Sequence, residues 1–413
     1  MLTQHWPLAE LREIDRETWK LVSENGGKHP LSSTAVFYLP RVAGGRGTKS
    51  VKHEYKVIKI KVAIKLCMNP DPMMRSVRVF EERAAERGFP SLVKDAHRYA
   101  EELGMTLTLE PAELSCSSQS NPEKKITGHH VKQHLKEAVS TGLVEKVVDQ
   151  KWHGHLLSSR WSDDQLSKHG CFAWLSEWSC VPTHTVAGLM ELYEQLLPTR
   201  VYAAYKTGTS DQNNIMCRMC GNAPECIAHV LDGCSSLAQT KYLERHNAAL
   251  KVLFFEILRD LDLNETVPPW FSRIEPRPMY ESTHAQAFWD VPVYAEHTVV
   301  CANRVDVRIV DHKEKRVLLV EMSCPWVDNH VKKEAEKTEK YGPLRWELTR
   351  RYPGYRIVQL NVIMDVLGGW SQDLEAEMKK IFGLRSLDIL KRMQKAVLSG
   401  SLNIARMFKV ITK

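Results

Sequence analysis

Asp306 and Glu321 are the residues of this chain whose types and spacing point most directly to chemistry. They close a segment that reads Asn303-Arg304-Val305-Asp306-Val307-Arg308-Ile309-Val310, a polar turn from Asp311 to Lys315, then Arg316-Val317-Leu318-Leu319-Val320-Glu321. Two apolar, β-branched runs around a short polar turn predict an antiparallel hairpin. With the turn centred on Lys313-Glu314, Asp306 falls opposite Glu321 on one face. Directly opposed residues have Cβ atoms about 5 Å apart, and two carboxylates there repel unless a cation lies between them. Mg²⁺ suits such a place, because it takes oxygen ligands from one or two carboxylates and completes its shell with waters and phosphate. Lys333, Lys337 and Lys340 follow at helical spacing. The same residues, taken alone, also describe a solvated hairpin end and a wet helix face, the commoner arrangement.

A second constellation precedes the hairpin. Cys217 and Cys220 stand with two residues between them around a tight turn, His229 follows after eight more, and Cys234 after a further four. Three thiolates and an imidazole fill the four positions of tetrahedral Zn²⁺ and leave none open, which predicts a structural site. Gly221 and Gly233 help the backbone curl around it. Cys226 is a spare thiol that competes with His229 for the fourth place. Arg218 and Lys241 flank the loop, and small knuckles of this kind often touch single-stranded nucleic acid.

The elements that position these groups are mostly helical before the hairpin. Leu8 to Val22 is amphipathic, with Leu11, Ile14, Trp19 and Val22 on one side. Between Arg41 and Lys65 stand eight lysines and arginines against one acid, Glu54. Arg41, Arg46, Lys49, Lys52, Lys56 and Lys59, together with Lys333 on the later helix, are candidates for contact with a nucleic-acid backbone. Ile58, Ile60, Val62, Ile64 and Leu66 alternate like a strand, while Ser50 as an N-cap and Asn69-Pro70 as a stop would also suit a helix. Gly44-Gly45-Arg46-Gly47 lacks the strand-to-helix frame of a phosphate cradle and predicts a tight bend. A composition shift at Pro111 to Glu123 marks the first boundary, and with the cysteine loop and the hairpin each taken as a part of its own the expected parts are 1–110, 111–210, 211–250 and 251–413. The second part is expected to be a helical linker, with Thr183 or Thr185 capping a helix that runs to Leu197 and stops at Pro198. Its histidines His129, His130, His134, His153 and His155 lack cysteine partners and are expected at the surface. Helices are expected again from Asn247 to Leu261 and from Gln372 onward, with a buried strand over Arg356 to Met364 and a turn at Gly368-Gly369.

With 413 residues, 43% of them hydrophobic, the chain can bury real cores. Its net charge of +7 admits anionic partners without requiring them. No run of eighteen apolar residues occurs, and no apolar stretch follows Met1, so neither a membrane span nor secretion is expected. Ten cysteines, four at metal spacing, fit a reducing compartment.

Several stretches, in order, resemble the C-terminal part of a non-LTR (LINE-type) retrotransposon polyprotein carrying a restriction-like endonuclease. Tyr38-Leu39-Pro40-Arg41 with Gly44-Gly45-Arg46-Gly47 looks like the segment after the polymerase palm. Cys217, Cys220, His229 and Cys234 look like the family's zinc knuckle, with Arg245-His246-Asn247 packed beneath it. Arg304-Val305-Asp306, Glu321-Met322-Ser323-Cys324-Pro325-Trp326, then Lys337 and Lys340-Tyr341 look like its nuclease. The resemblance implies an α+β chain: a thumb-like helical first part, a knuckle, then a mixed sheet flanked by helices. It implies Asp306 and Glu321 as Mg²⁺ ligands, Lys337 or Lys340 as the catalytic ammonium, and Tyr341 as the group that orients it. Asp328 is expected to cap the helix and Glu336 to pair with Lys340. Implied partners are target DNA, element RNA and an intact retrotransposon protein, in the nucleus and away from membranes. Ser323 stands where the acid-x-lysine pattern would place lysine, and Val305 where proline is usual. No paired aspartates on an apolar hairpin of the polymerase type occur, so the chain is expected to represent the end of such an element and not to copy RNA. A catalytically dead nucleic-acid-binding remnant is the alternative.

Overall fold

The computed structural model describes residues 5–110, 113–118, 121–126, 130–178 and 181–411. The chain is α+β and divides into two compact units, Met1–Ser158 and Ser159–Lys413. That division differs from the four expected parts: the boundary at 110 falls inside the first unit, and the cysteine loop shares a unit with the hairpin.

The first unit holds α1 (Leu8–Glu24), α2 (Thr34–Tyr38), α3 (Val51–Met68), α4 (Pro72–Glu86), α5 (Leu92–Glu101) and α6 (Val131–Val148). Between α5 and α6 lies an antiparallel sheet of β1 (Met105–Glu110), β2 (Glu113–Ser118) and β3 (Asn121–Ile126). This sheet replaces the start of the expected helical linker. Met105, Leu107 and Leu109 alternate inward and join Tyr55, Ile60, Ile64 and Tyr99 in one core. In α1, Leu11 is buried but Ile14 is exposed, so the expected apolar side is narrower than drawn. Helix α3 begins as expected: the Ser50 hydroxyl accepts from His53 N–H, and Asp15 takes the neighbouring Val51 and Lys52 N–H groups. Gly45 turns so close to Leu39 that an added Cβ would meet the Leu39 carbonyl oxygen at 2.1 Å, and only glycine fits this bend.

The second unit starts with α7 (His155–Ser162, spanning the division), α8 (Lys168–Cys171), α9 (Ala173–Glu177) and α10 (Thr183–Tyr193). Helix α10 stops four residues short of Leu197, and no side chain caps its start. Short turns α11 (Arg200–Tyr202) and α12 (Ser235–Leu237) bracket the cysteine loop, and α13 (Leu243–Asp260) follows it. The main sheet comprises β4 (Met279–Glu281), β5 (Ala285–Trp289), β6 (Val307–Asp311), β7 (Arg316–Ser323) and β8 (Arg356–Ile363), adjacent in that order. All neighbours are antiparallel except β7 and β8, which run parallel. Such a pair needs a crossover, supplied by α14 (His330–Lys340) and α15 (Gly342–Arg351). Helices α16 (Gln372–Phe382) and α17 (Ser386–Ile411) end the unit.

Strand β7 is buried from Val317 to Met322, which explains its unbroken apolar run. Its alternate residues enter two cores. Leu318, Val320 and Met322 pack with Phe254, Trp370 and Val397, whereas Val317 and Leu319 pack with Tyr341, Leu344 and Leu348. Val305 is buried in the second core, so apolar packing against Tyr341 occupies the place expected for proline.

A buried ion pair ties two distant segments of this unit. Arg160 Nη2 lies 2.7 Å from Asp365 Oδ1, and His330 Nε2 lies 2.9 Å from Asp365 Oδ2. Gly369 is required beside it, since a Cβ there would meet Arg160 Nη1 at 2.1 Å. Burial by itself would raise the Asp365 carboxyl, but the Arg160 charge and the His330 hydrogen bond outweigh it and hold it at about 2. A carboxylate held lower in the folded chain adds stability that is present above its ordinary value of 3.8 and is lost as pH falls through about 2. Replacing one partner strands a buried charge. Arg160→Met is therefore expected to destabilise this unit by about 3–5 kcal/mol in chemical denaturation, and an unchanged midpoint would refute the role given to the pair.

Candidate functional site

The hairpin register is the one expected from its turn. Val307 pairs with Val320 and Asp311 with Arg316, which extends to Asp306 opposite Glu321. Both carboxylates face the side of the sheet covered by α14 and α15. Asp306 N–H donates to Glu321 Oε2 at 3.2 Å, and Met322 N–H donates to Asp306 Oδ2 at 2.8 Å. Glu321 is only 3% exposed.

The crossover helix supplies the cation. Lys337 Nζ donates to Glu321 Oε1 at 2.6 Å, so Lys337 is the lysine that reaches the acids. Lys340 turns to Tyr341 instead, with Nζ 3.0 Å from the phenol oxygen. Tyr341 is buried and donates to the Arg304 carbonyl at 3.0 Å, which ties the end of α14 to the approach to β6. Burial and the Glu321 charge raise its phenol well above the ordinary range. Asp328 lies in a 3₁₀ turn and no side chain caps α14. Glu336 pairs with Lys333, at 2.8 Å, and not with Lys340.

His246 is a group that sequence pattern does not place here. Its Nε2 lies 3.1 Å from Asp306 Oδ2 and 3.3 Å from the Met322 carbonyl. Burial alone would discourage its protonation, but the Asp306 hydrogen bond and charge outweigh that and raise its pKa. Conversely, burial would raise the Asp306 carboxyl, while the bond to His246 and the Met322 N–H lower it. The polar Arg245-His246-Asn247 triplet at the start of an otherwise mainly apolar helix is the signal the sequence offers.

Arg245, one residue earlier, packs beneath the cysteine loop as expected. It is 2% exposed, and its Nη1 donates to the Leu231 carbonyl at 2.8 Å and to Ser401 Oγ at 3.2 Å. Tyr242 adds a second brace, accepting from Cys234 N–H at 3.0 Å and sharing its hydroxyl with the His229 and Val230 carbonyls. Asp232 Oδ2 accepts from Trp326 N–H at 2.9 Å, which joins the loop to the segment after β7.

Cys217, Cys220, His229 and Cys234 bring one ligand atom each within 4.8 Å of one another, the single such cluster among the described residues. Cys217 and Cys234 sulfurs are 4.0 Å apart, and Cys220 Sγ is 3.3 Å from His229 Nε2. Met219 N–H points at Cys217 Sγ, and Asn222 N–H at Cys220 Sγ, donors that favour thiolates. Gly221 takes the left-handed conformation, φ +69°, that closes this turn. Burial lowers the His229 pKa and pushes the Cys234 thiol up to about 11, whereas the Asn222 N–H lowers Cys220. Such a donor set could hold a metal such as zinc. Cys226 stands outside it, its sulfur meeting the His229 N–H at 3.5 Å.

The expected nucleic-acid contacts divide. Arg41 and Lys49 are exposed, and Arg46 and Lys52 are half-buried. Arg46 Nη1 donates to the Gly27 carbonyl at 2.7 Å. Lys56 and Lys59 correct the expectation: they are 4% and 5% exposed, Lys56 paired with Glu102 and Lys59 over the Tyr55 ring. Arg218 is likewise engaged, its Nε 2.9 Å from an oxygen of the fully buried Glu225. Lys333 stays half-buried beside Glu336, and Lys241 pairs with Glu244. His130 and His155 are exposed and His134 meets Glu137, whereas His129 lies outside the described residues. No helix among the described residues is long and apolar enough to cross a membrane.

Compared with known proteins, the chain matches no family model and no curated protein.

Proposed function

We propose that the second unit is a metal-dependent DNA endonuclease of the restriction-like kind, built on the five-stranded sheet and carried by a retrotransposon polyprotein. The observation that carries this reading is the meeting of Asp306, Glu321 and Lys337 on one sheet face, with the ammonium 2.6 Å from Glu321. In the proposal Asp306 and Glu321 hold Mg²⁺. Their donor set is suitable in kind, since both are oxygen ligands; Asp306 Oδ2 and both Glu321 oxygens already accept protein hydrogens, and each carboxylate keeps further lone pairs. When bound, such an ion supplies charge stabilisation at a phosphate and a more acidic water. Lys337 places positive charge where the phosphate would lie, and His246 fixes the orientation of the Asp306 carboxylate. Zn²⁺ in the cysteine cluster is structural.

Partners in this reading are target DNA, nicked to prime reverse transcription, element RNA, and an intact retrotransposon protein that supplies the polymerase, in the nucleus. One observation favours a second reading, a catalytically dead binding remnant: the Lys337–Glu321 pair already neutralises one of the two carboxylates. Nicking of plasmid DNA with Mg²⁺ or Mn²⁺ decides between them.

Binding should be common to both readings. The cations of the first unit that could serve it are the exposed Arg41 and Lys49 and the half-buried Lys52, whose pKa is lowered by burial and then by the like charges of Lys56 and Arg12. DNA affinity measured by anisotropy should fall linearly with the logarithm of salt concentration. Replacing Arg41, Lys49 and Lys52 with glutamine should flatten that slope by about 0.9 for each phosphate no longer neutralised. The same changes at Lys56 and Lys59 should instead lower the melting temperature. A slope indifferent to the first three would refute that role.

A further inference from the structure

Strand β8 closes one end of the main sheet, with β7 as its sole strand neighbour among the described residues. Arg356 N–H reaches back to the Lys315 carbonyl at 2.8 Å, and Met364 N–H to the Ser323 carbonyl at 3.1 Å. Backbone hydrogen bonding alternates along a parallel strand. The even-numbered residues therefore turn their backbone groups toward β7, and Gln359, Asn361 and Ile363 turn theirs outward. An edge of this sort is a template for a further strand unless something covers it.

What lies beside it is a cavity of about 950 Å³, lined by these same outward residues. Its walls come from α14, from the start of α16 and from the segment after Ser159. They are acidic: Glu334, Asp328, Asp373, Glu377, Asp163 and Asp164 all line it. Of the two arginines in the wall, Arg160 is paired with Asp365, and Arg345 donates to Gln359 Oε1 within the same wall, so these six carboxylates face one guanidinium left unpaired among the described residues. His330 also lines the cavity, with its Nε2 2.9 Å from Asp365 Oδ2 and its buried Nδ1 without a hydrogen-bond partner among the described residues. Apolar surface from Leu166, Leu360 and Leu374 makes the floor.

We propose that this cavity binds an extended, lysine- or arginine-bearing segment of another protein chain, paired as a sixth strand on β8. The outward N–H and C=O row fixes the backbone at a period of two, and the acidic walls select cationic side chains. Phosphate groups would be repelled here, so the cavity is a protein site next to, and separate from, the carboxylate pair proposed for DNA. Three outward positions accommodate about five peptide residues at roughly 3.3 Å each.

The full chain is titrated by fluorescence polarisation with a labelled, capped heptapeptide of alternating lysine and valine, and with its glutamate–valine counterpart. The lysine peptide should bind at least about tenfold more tightly. Asp373→Lys with Glu377→Lys should weaken it by about tenfold, and Asp373→Asn with Glu377→Gln serves if the reversal impairs folding. Both residues are exposed, and neither belongs to the proposed catalytic group. N-methylation of every second peptide nitrogen should abolish binding in one phase and spare it in the other, because a single edge reads alternate amides. Equal binding of both peptides, indifference to the acidic substitutions, or equal sensitivity to the two methylation phases would each overturn the proposal.

Discussion

Asp306→Ala is expected to reduce metal-dependent nicking of plasmid DNA by about 10³-fold or more while leaving DNA affinity near that of the parent. Glu321→Ala should do the same, since a divalent ion that loses one of two protein carboxylates is poorly held. Groups acting as a unit are not additive, so the double variant should be no worse than either single one. The two lysines should separate clearly. Lys337→Ala removes the ammonium from Glu321 and leaves that buried carboxylate unpaired, whereas Lys340→Ala removes a hydrogen bond to Tyr341. Nicking should therefore collapse in the first and largely survive in the second. Equal nicking by Asp306→Ala and the parent would refute the assignment. A parent that never nicks with either metal hands the chain to the binding-remnant reading.

The other large effect concerns the cysteine cluster. Purified protein should contain about one zinc per chain, lost on Cys220→Ser and retained on Cys226→Ser, whose sulfur stands outside the cluster. Binding of structural zinc is folding free energy, about 10–16 kcal/mol in isolated finger peptides. Here Arg245, Tyr242 and Asp232 also hold the loop, so part of its order survives without metal. A fall in melting temperature of about 10 °C or more is still expected for Cys220→Ser. The damage should reach nicking, because Arg245 and His246 are neighbours on one helix start, the first under the loop and the second on Asp306. A fully folded, zinc-free protein would refute the cluster's role.

Local chemistry makes part of this architecture legible. The hairpin register follows from turn residues and a period of two, both contained in sixteen consecutive positions from Asp306 to Glu321. In α3 the isoleucine alternation argues for a strand, yet Ser50 and Asn69 at its ends are the better guide, and Ile60 and Ile64 enter the core as helical neighbours. The cysteine cluster is readable because ligand spacing is a local property. What escapes depends on packing between distant segments. Lys56 and Lys59 look like surface cations in sequence, but Glu102 and Tyr55 hold them in the interior. Only tertiary packing sets His246 against Asp306, or Lys337 rather than Lys340 against Glu321. The strands from Met105 to Ile126 escape for another reason: proline and serine break the run and give it the composition of a linker, although Met105, Leu107 and Leu109 alternate.

The single parallel pairing in the main sheet bears on the order in which the chain assembles. The β6–β7 hairpin closes across a four-residue turn at 312–315, a short loop with little entropy to lose. Strand β8 reaches β7 only after the chain has travelled out and back, Arg316 meeting Arg356. Non-local pairings of this kind form late and set the pace. Lys337 rides on that crossover, so the two carboxylates are brought face to face before their ammonium arrives. In that order the hairpin holds its two carboxylates opposed without the ammonium, and docking of the crossover brings Lys337 against Glu321.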